Sequence, residues 1–165
     1  MPNKDADFCR LRQTMIATQL RSRDITASRG VTLVADCTWS EISPDAFDVL
    51  VIPGGAGGTD TLSETDAVLD ALRHFDRQDK WIAAICAGPL VLQAAGLLGG
   101  RRVTCHPGVS DQLNCPRLDD RVVVDGHMIT SQAPGTSFEF ALAIIEHVQG
   151  REAADRIRPP LVLPS

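Results

Sequence analysis

Ala83-Ala-Ile-Cys-Ala-Gly-Pro89, entered through Trp81-Ile82, joins two patterns within a few residues. Trp81 to Ile85 has the length and apolar composition of a buried strand. Cys86-Ala-Gly-Pro89 then opens an Ala/Leu-rich stretch that reads as a helix ending at Gly99-Gly100. A single cysteine stands at the junction between small residues. A strand-to-helix elbow holds its nucleophile in a strained backbone conformation with no room for bulk. The helix that follows points its N-terminus at the sulfur, which favours thiolate over thiol. Amides of Ala87 and of the Gly54-Gly55 turn are then candidates to stabilise an oxyanion. The plainer reading of Cys86 is a small buried hydrophobe.

Outward from this elbow, short apolar runs alternate with helical patterns. Val31 to Ala35 is a β-branched run, and Phe47 to Ile52 is another that stops at Pro53-Gly54-Gly55. Ser63-Glu-Thr-Asp66 reads as a helix entry with Ser63 as N-cap, and Val68, Leu69, Leu72 and Phe75 keep helical spacing after it. Arg102 to Cys105 reads as a further strand stopped by His106-Pro107-Gly108. Arg121 to Val124 and Met128 to Thr130 flank Asp125-Gly126, a strong hairpin signal. Pro134-Gly-Thr-Ser137 launches a helix from Phe138 to Gln149, with Gly150 placed to cap it. Strands alternating with helices imply an α/β fold with an open, mostly parallel sheet, read here as one domain over residues 1–165 with an atypical stretch at 1–27. Ligands of such sheets bind outside the carboxyl ends of the strands. That rule gathers Pro53-Gly54-Gly55, Cys86 and His106 on one rim, with His106 a candidate general acid or base beside the thiol.

Composition narrows the function classes. The chain has 165 residues, 44% hydrophobic and 22% charged, as a globular chain does. A net charge of −5 without a basic run argues against nucleic acid or an anionic membrane as partner. No apolar run reaches the roughly 18 residues of a membrane span, and Met1 to Arg12 is too polar for a secretory signal. The cytoplasm is the expected compartment. Five cysteines (Cys9, Cys37, Cys86, Cys105, Cys115) without a CxxC pair suggest free thiols rather than a disulfide framework. The four histidines (His74, His106, His127, His147) lack metal-ligand spacing, so no metal is expected. Gly54-Gly55-Ala-Gly57-Gly58 lacks the Lys-Ser/Thr ending of a phosphate loop. Cysteine chemistry should therefore be nucleophilic or redox.

Val51-Ile-Pro-Gly-Gly55, Ala83 to Pro89, Thr104-Cys-His-Pro107 and Thr130-Ser-Gln-Ala-Pro-Gly-Thr-Ser-Phe-Glu-Phe-Ala141 occur in the order found in the ThiJ/PfpI superfamily. Ser28-Arg29-Gly30-Val31 and Pro160-Leu-Val-Leu163 fit too. The chain resembles, over about residues 25 to 163, the branch named for the Parkinson-disease protein deglycase. The resemblance implies a flavodoxin-like fold, a homodimer, and no cofactor. It implies Cys86 as redox-sensitive nucleophile with His106 beside it, and Gly55 and Ala87 as oxyanion donors, with Gly54 in the same turn. Arg29 is a candidate anion-binding residue. The implied activities are cofactor-free glyoxalase chemistry on small 2-oxoaldehydes, deglycation of early glycation adducts on proteins, and oxidative-stress or chaperone-like protection.

The pattern departs from the family at its start. Members begin with a strand and a helix carrying a glutamate that hydrogen-bonds the cysteine, whereas here no glutamate precedes Glu41. Only 27 residues precede Ser28. Thr14 to Leu20 is accordingly read as the second strand and residues 1–13 as a remnant of the helix. The first strand, central in a 2-1-3-4-5 order, and the catalytic carboxylate are then expected to be missing, as in a truncated gene model or an alternative start. The other option has residues 1–20 rebuild the centre, with Asp5 or Asp7 as substitute acid. A non-catalytic redox sensor, a chaperone-like protein and an inactive remnant stand beside the enzyme reading. Peptidase, isonitrile hydratase and amidotransferase-type roles rank behind them.

Overall fold

The computed structural model describes residues 22–27 and 30–163. They divide into two separately packed units, with the boundary between Ser43 and Pro44. In the first unit, β1 (Asp24–Thr26) pairs antiparallel with β2 (Thr32–Val34), Ile25 opposite Leu33. Ile25 and Ala35 form its small buried cluster. The β-branched run at residues 31–35 is thus a strand, but its partner is a local hairpin neighbour rather than the main sheet. Glu41 accepts from the Thr38 N–H at 2.6 Å and its hydroxyl at 2.8 Å, closing a short helical turn. Those two bonds, the backbone one foremost, hold the Glu41 carboxyl below its ordinary range. Ser28, Arg29, Asp5, Asp7, Cys9 and the stretch Thr14 to Leu20 lie outside the described residues, and so do the expectations placed on them.

The second unit carries the sheet. Its strands are β3 (Val49–Ile52), β4 (Trp81–Ile85), β5 (Val122–Asp125) and β6 (Met128–Ser131), in the order β3-β4-β6-β5. β3, β4 and β6 run parallel, with Ile52 opposite Ala84 and Ile85 opposite Ser131. β5 is antiparallel to β6 as a hairpin. Gly126 supplies the positive φ, +61°, that its tight turn needs. The helices are α1 (Ala56–Ser63), α2 (Asp66–Arg77), α3 (Pro89–Ala94), α4 (Ser137–Gln149) and α5 (Arg151–Ile157). β4 is the pivot because Ile82, Ala83 and Ala84 are all fully buried, so both of its faces are covered. Ala83, Ile129 and Phe140 form a cluster under α4 on one face, joined by Trp81, Ile85 and Ile144. α2 and α3 also pack on β4, and α2 buries Val68, Leu69, Leu72 and Phe75 along one stripe. This is the mixed α/β architecture, mostly parallel and helix-flanked, that the alternation of patterns implies. No helix among the described residues is long and apolar enough to cross a membrane.

Three element boundaries differ from the sequence reading. Ser63 ends α1 instead of capping α2; Thr65 takes the N-cap of α2, but its hydroxyl donates back to Thr61 O at 2.7 Å. α3 stops before Gly96 (φ +79°), not at Gly99-Gly100. Gly96 N–H donates to Gln93 O at 2.9 Å and Leu97 N–H to Leu92 O at 3.0 Å, the paired bonds that end a helix on a left-handed glycine. Arg102 to Cys105 is not a strand. Among the described residues its only ladder contact is an isolated parallel bridge between Val103 and Arg117. The Thr104 N–H, fully buried, is satisfied by the Thr130 hydroxyl at 3.0 Å, so a side chain of β6 does what a neighbouring backbone would do in a strand.

Candidate active site

β3 and β4 end side by side, and their carboxyl ends make the rim. Past β4 the chain turns at Cys86, which has φ +64°. That left-handed conformation costs a non-glycine residue about 1–2 kcal/mol, so the surroundings must impose it. They do so from both sides. The Cys86 N–H donates to Ser131 O on β6 at 3.0 Å, and the Cys86 carbonyl accepts from the His106 N–H at 2.9 Å. The same bond that fixes the elbow therefore fixes the backbone of His106. Small neighbours are required, as the sequence suggests. A β-carbon at Gly88 would lie 2.7 Å from Ile52 O and 2.9 Å from Ile85 O. A β-carbon at Gly54 would lie 2.5 Å from the Cys86 Cβ and 3.0 Å from its Sγ.

The rim encloses a cavity of about 200 Å³ lined by residues of α1, the elbow and the 106–112 segment, Gly55, Asp60, Cys86, Ala87, His106 and Gln112 among them. That volume is on the scale of a small metabolite rather than a drug-sized ligand. Cys86 and His106, forecast on one rim, share this cavity with Gly55 and Ala87. Gly54 packs against the thiol's own β-carbon and is not among the lining residues. Among the described residues the amides of Gly54, Gly55 and Ala87 donate to no backbone carbonyl. Gly55, with φ +98°, stands at the N-cap of α1. Arg29 lies outside the described residues.

His106 is exposed, and its Nδ1 accepts from the Gly108 N–H at 3.0 Å. The neutral ring therefore carries its proton on Nε2, which makes that atom the donor. Cys105 is a different kind of thiol. It is fully buried, donates to His106 O at 3.4 Å, and burial pushes its pKa up despite the nearby Arg117. Cys37 and Cys115 are half-buried and outside the cavity lining, and burial raises Cys115 too. Among the described residues no group of three or more His, Cys, Asp or Glu is placed to hold a metal ion.

Sequence reasoning missed several lining residues, Thr59, Asp60 and Gln112 among them. Among the described residues Asp60 is the one carboxylate in the cavity wall. The glycines of the 54–58 loop have poor helix propensity, so α1 is invisible to periodicity and Asp60 is left unplaced. Once α1 is known to begin at Ala56, the signal is simple. Thr59 and Asp60 fall one turn beyond Gly55 and Ala56, on the same side of the helix.

Comparison with known proteins bears on this site. Residues 9–147 match the family model described as the DJ-1/PfpI family. Protein dj-1beta of Drosophila melanogaster is 39% identical over 142 residues, spanning 84% of this chain and 76% of that protein. A Caenorhabditis elegans protein named glutathione-independent glyoxalase DJR-1.2 is 38% identical over 142 residues, spanning 84% of this chain and 75% of the relative. The solved structure of oxidized Toxoplasma gondii DJ-1 superposes with a TM-score of 0.85 at 33% identity, covering 92% of this chain and 83% of that one.

Proposed function

This chain belongs to the DJ-1/PfpI family, and from that premise we propose that it is a cofactor-free glyoxalase-type enzyme acting on small 2-oxoaldehydes through Cys86. The observation that carries the reading is the thiol held at φ +64° on the wall of a cavity of about 200 Å³ shared with His106. The Cys86 sulfur adds to the aldehyde carbon of a substrate such as methylglyoxal, and the oxygen takes a proton, giving a hemithioacetal. The negative charge that develops on that oxygen is met by the amides of Gly55 and Ala87 and by His106 Nε2–H. A base then moves the C1 proton to C2, leaving a thioester of the 2-hydroxy acid. Water hydrolyses it and frees the thiol. Early glycation adducts on proteins would be attacked by the same thiol. The similarity to a glyoxalase-named relative supports the substrate class. The working unit is proposed as a homodimer.

The test is turnover of methylglyoxal by the purified chain and by Cys86→Ser. Loss of turnover in the variant supports the reading; unchanged turnover rejects it. A second reading, a redox sensor without turnover, draws on the half-buried thiol and on the likeness to an oxidized DJ-1 structure. It predicts that peroxide converts Cys86 to sulfinate while methylglyoxal is not consumed.

A further inference from the structure

The reaction above needs a base at C1, and neither Cys86, spent on the carbonyl, nor His106 supplies one. His106 Nδ1 is engaged by the Gly108 N–H at 3.0 Å, which leaves Nε2–H as a donor.

We propose that Asp60 is the base that carries the proton between C1 and C2 of the bound hemithioacetal. Asp60 lines the same cavity as Cys86 and His106 and is the single carboxylate there among the described residues. α1 holds it there through the backbone: Glu64 N–H donates to Asp60 O at 3.1 Å. Its neighbour Thr59 is spent within the helix, donating to Gly55 O at 3.0 Å and lying 2.9 Å from Ala56 O. Gln112 bears no acid, so among the described residues of the wall Asp60 is the carboxylate placed to take a proton from carbon. Among the described residues the Asp60 carboxylate makes no hydrogen bond or ion pair, so it is uncommitted in the fold. The step balances without a co-reactant. Asp60 removes H⁺ from C1, the electron pair forms the enediol, and the acid returns H⁺ at C2, leaving Asp60 ionised and the carbon skeleton as thioester.

This inference rests on the glyoxalase reading, and Asp60→Asn tests it. The variant keeps size and shape, and no contact in the fold depends on the charge. Turnover of methylglyoxal should fall by about 100-fold or more. The rate should become more sensitive to deuterium at C1 of the substrate. The mass of the Cys86–methylglyoxal adduct should still be found, and Asp60→Glu should recover part of the rate. A merely structural role would not raise the isotope effect while sparing the adduct. Asp60→Asn turning over within about threefold of an active parent overturns the assignment and leaves the glyoxalase reading standing. Loss of the adduct together with turnover also overturns it, because Asp60 would then only shape the cavity. A parent chain with no turnover overturns both.

Discussion

Gly54→Ala puts a methyl group where the structure has none to spare. Its β-carbon would stand 2.5 Å from the Cys86 Cβ, where ordinary contacts begin at 3.4 Å, so about 1 Å of movement is needed. The obstructing atom is not the free end of a side chain. It is the β-carbon of a residue whose N–H and carbonyl are tied at 3.0 and 2.9 Å, so rotation about χ1 gives no relief. Overpacking of this kind costs about 1–3 kcal/mol. In a chain of this size each kcal/mol lowers the melting temperature by about 2–4 °C. The displaced sulfur matters more for chemistry, since 1 Å of misplacement costs about 100-fold in rate. Gly57→Ala is the matched control. Three residues away, nothing lies within 4 Å of its β-carbon, it sits inside α1, and alanine there should stabilise by about 0.5–1 kcal/mol. Urea unfolding, peptide-resolved iodoacetamide alkylation of Cys86 and methylglyoxal turnover would be measured on both variants. If Gly54→Ala unfolds within about 0.5 kcal/mol of the parent and its Cys86 alkylates at the parent rate, the close packing of glycine under the thiol is not what shapes the elbow.

Replacing Cys86 separates strain from chemistry: Cys86→Gly should unfold about 1 kcal/mol later than Cys86→Ala, because only glycine takes φ +64° without penalty, and equal urea midpoints would remove the strain argument. Thr130→Val keeps the shape of β6 but leaves the buried Thr104 N–H without its 3.0 Å acceptor, for an expected loss of about 1–3 kcal/mol in urea unfolding. The thiols of Cys105 and Cys115 are both raised by burial, so the unfolded chain ionises first as pH climbs past the ordinary thiol value of about 8.5. Their contribution is full below that value and is lost as pH rises through the raised ones, and Cys105→Ala should flatten the alkaline decline of the urea midpoint.

Much of this protein is legible in its sequence because the signals are local. The apolar run 81–85 could only be buried, and the small residues after it leave room for nothing but a tight elbow. Asp125-Gly126 sets a hairpin through the positive φ that Gly126 accepts, and Gly150 ends α4 with φ +93°. The rule about strand ends places Gly55 and Cys86 on one rim, whereas His106, which follows no strand, joins them in the cavity lining through its N–H bond to the Cys86 carbonyl. What failed to show locally is what depends on partners distant in the chain. Residues 102–105 have the composition of a strand, yet a hydroxyl on β6 takes the Thr104 N–H, and among the described residues no ladder forms there. Ser63 has the chemistry of an N-cap, but α1 had already claimed it. Asp60 has no signature at all in a glycine-rich loop. Only the placement of α1 beside the elbow makes it part of a wall, because a carboxylate acquires a role from what stands across the cavity and not from its neighbours in sequence.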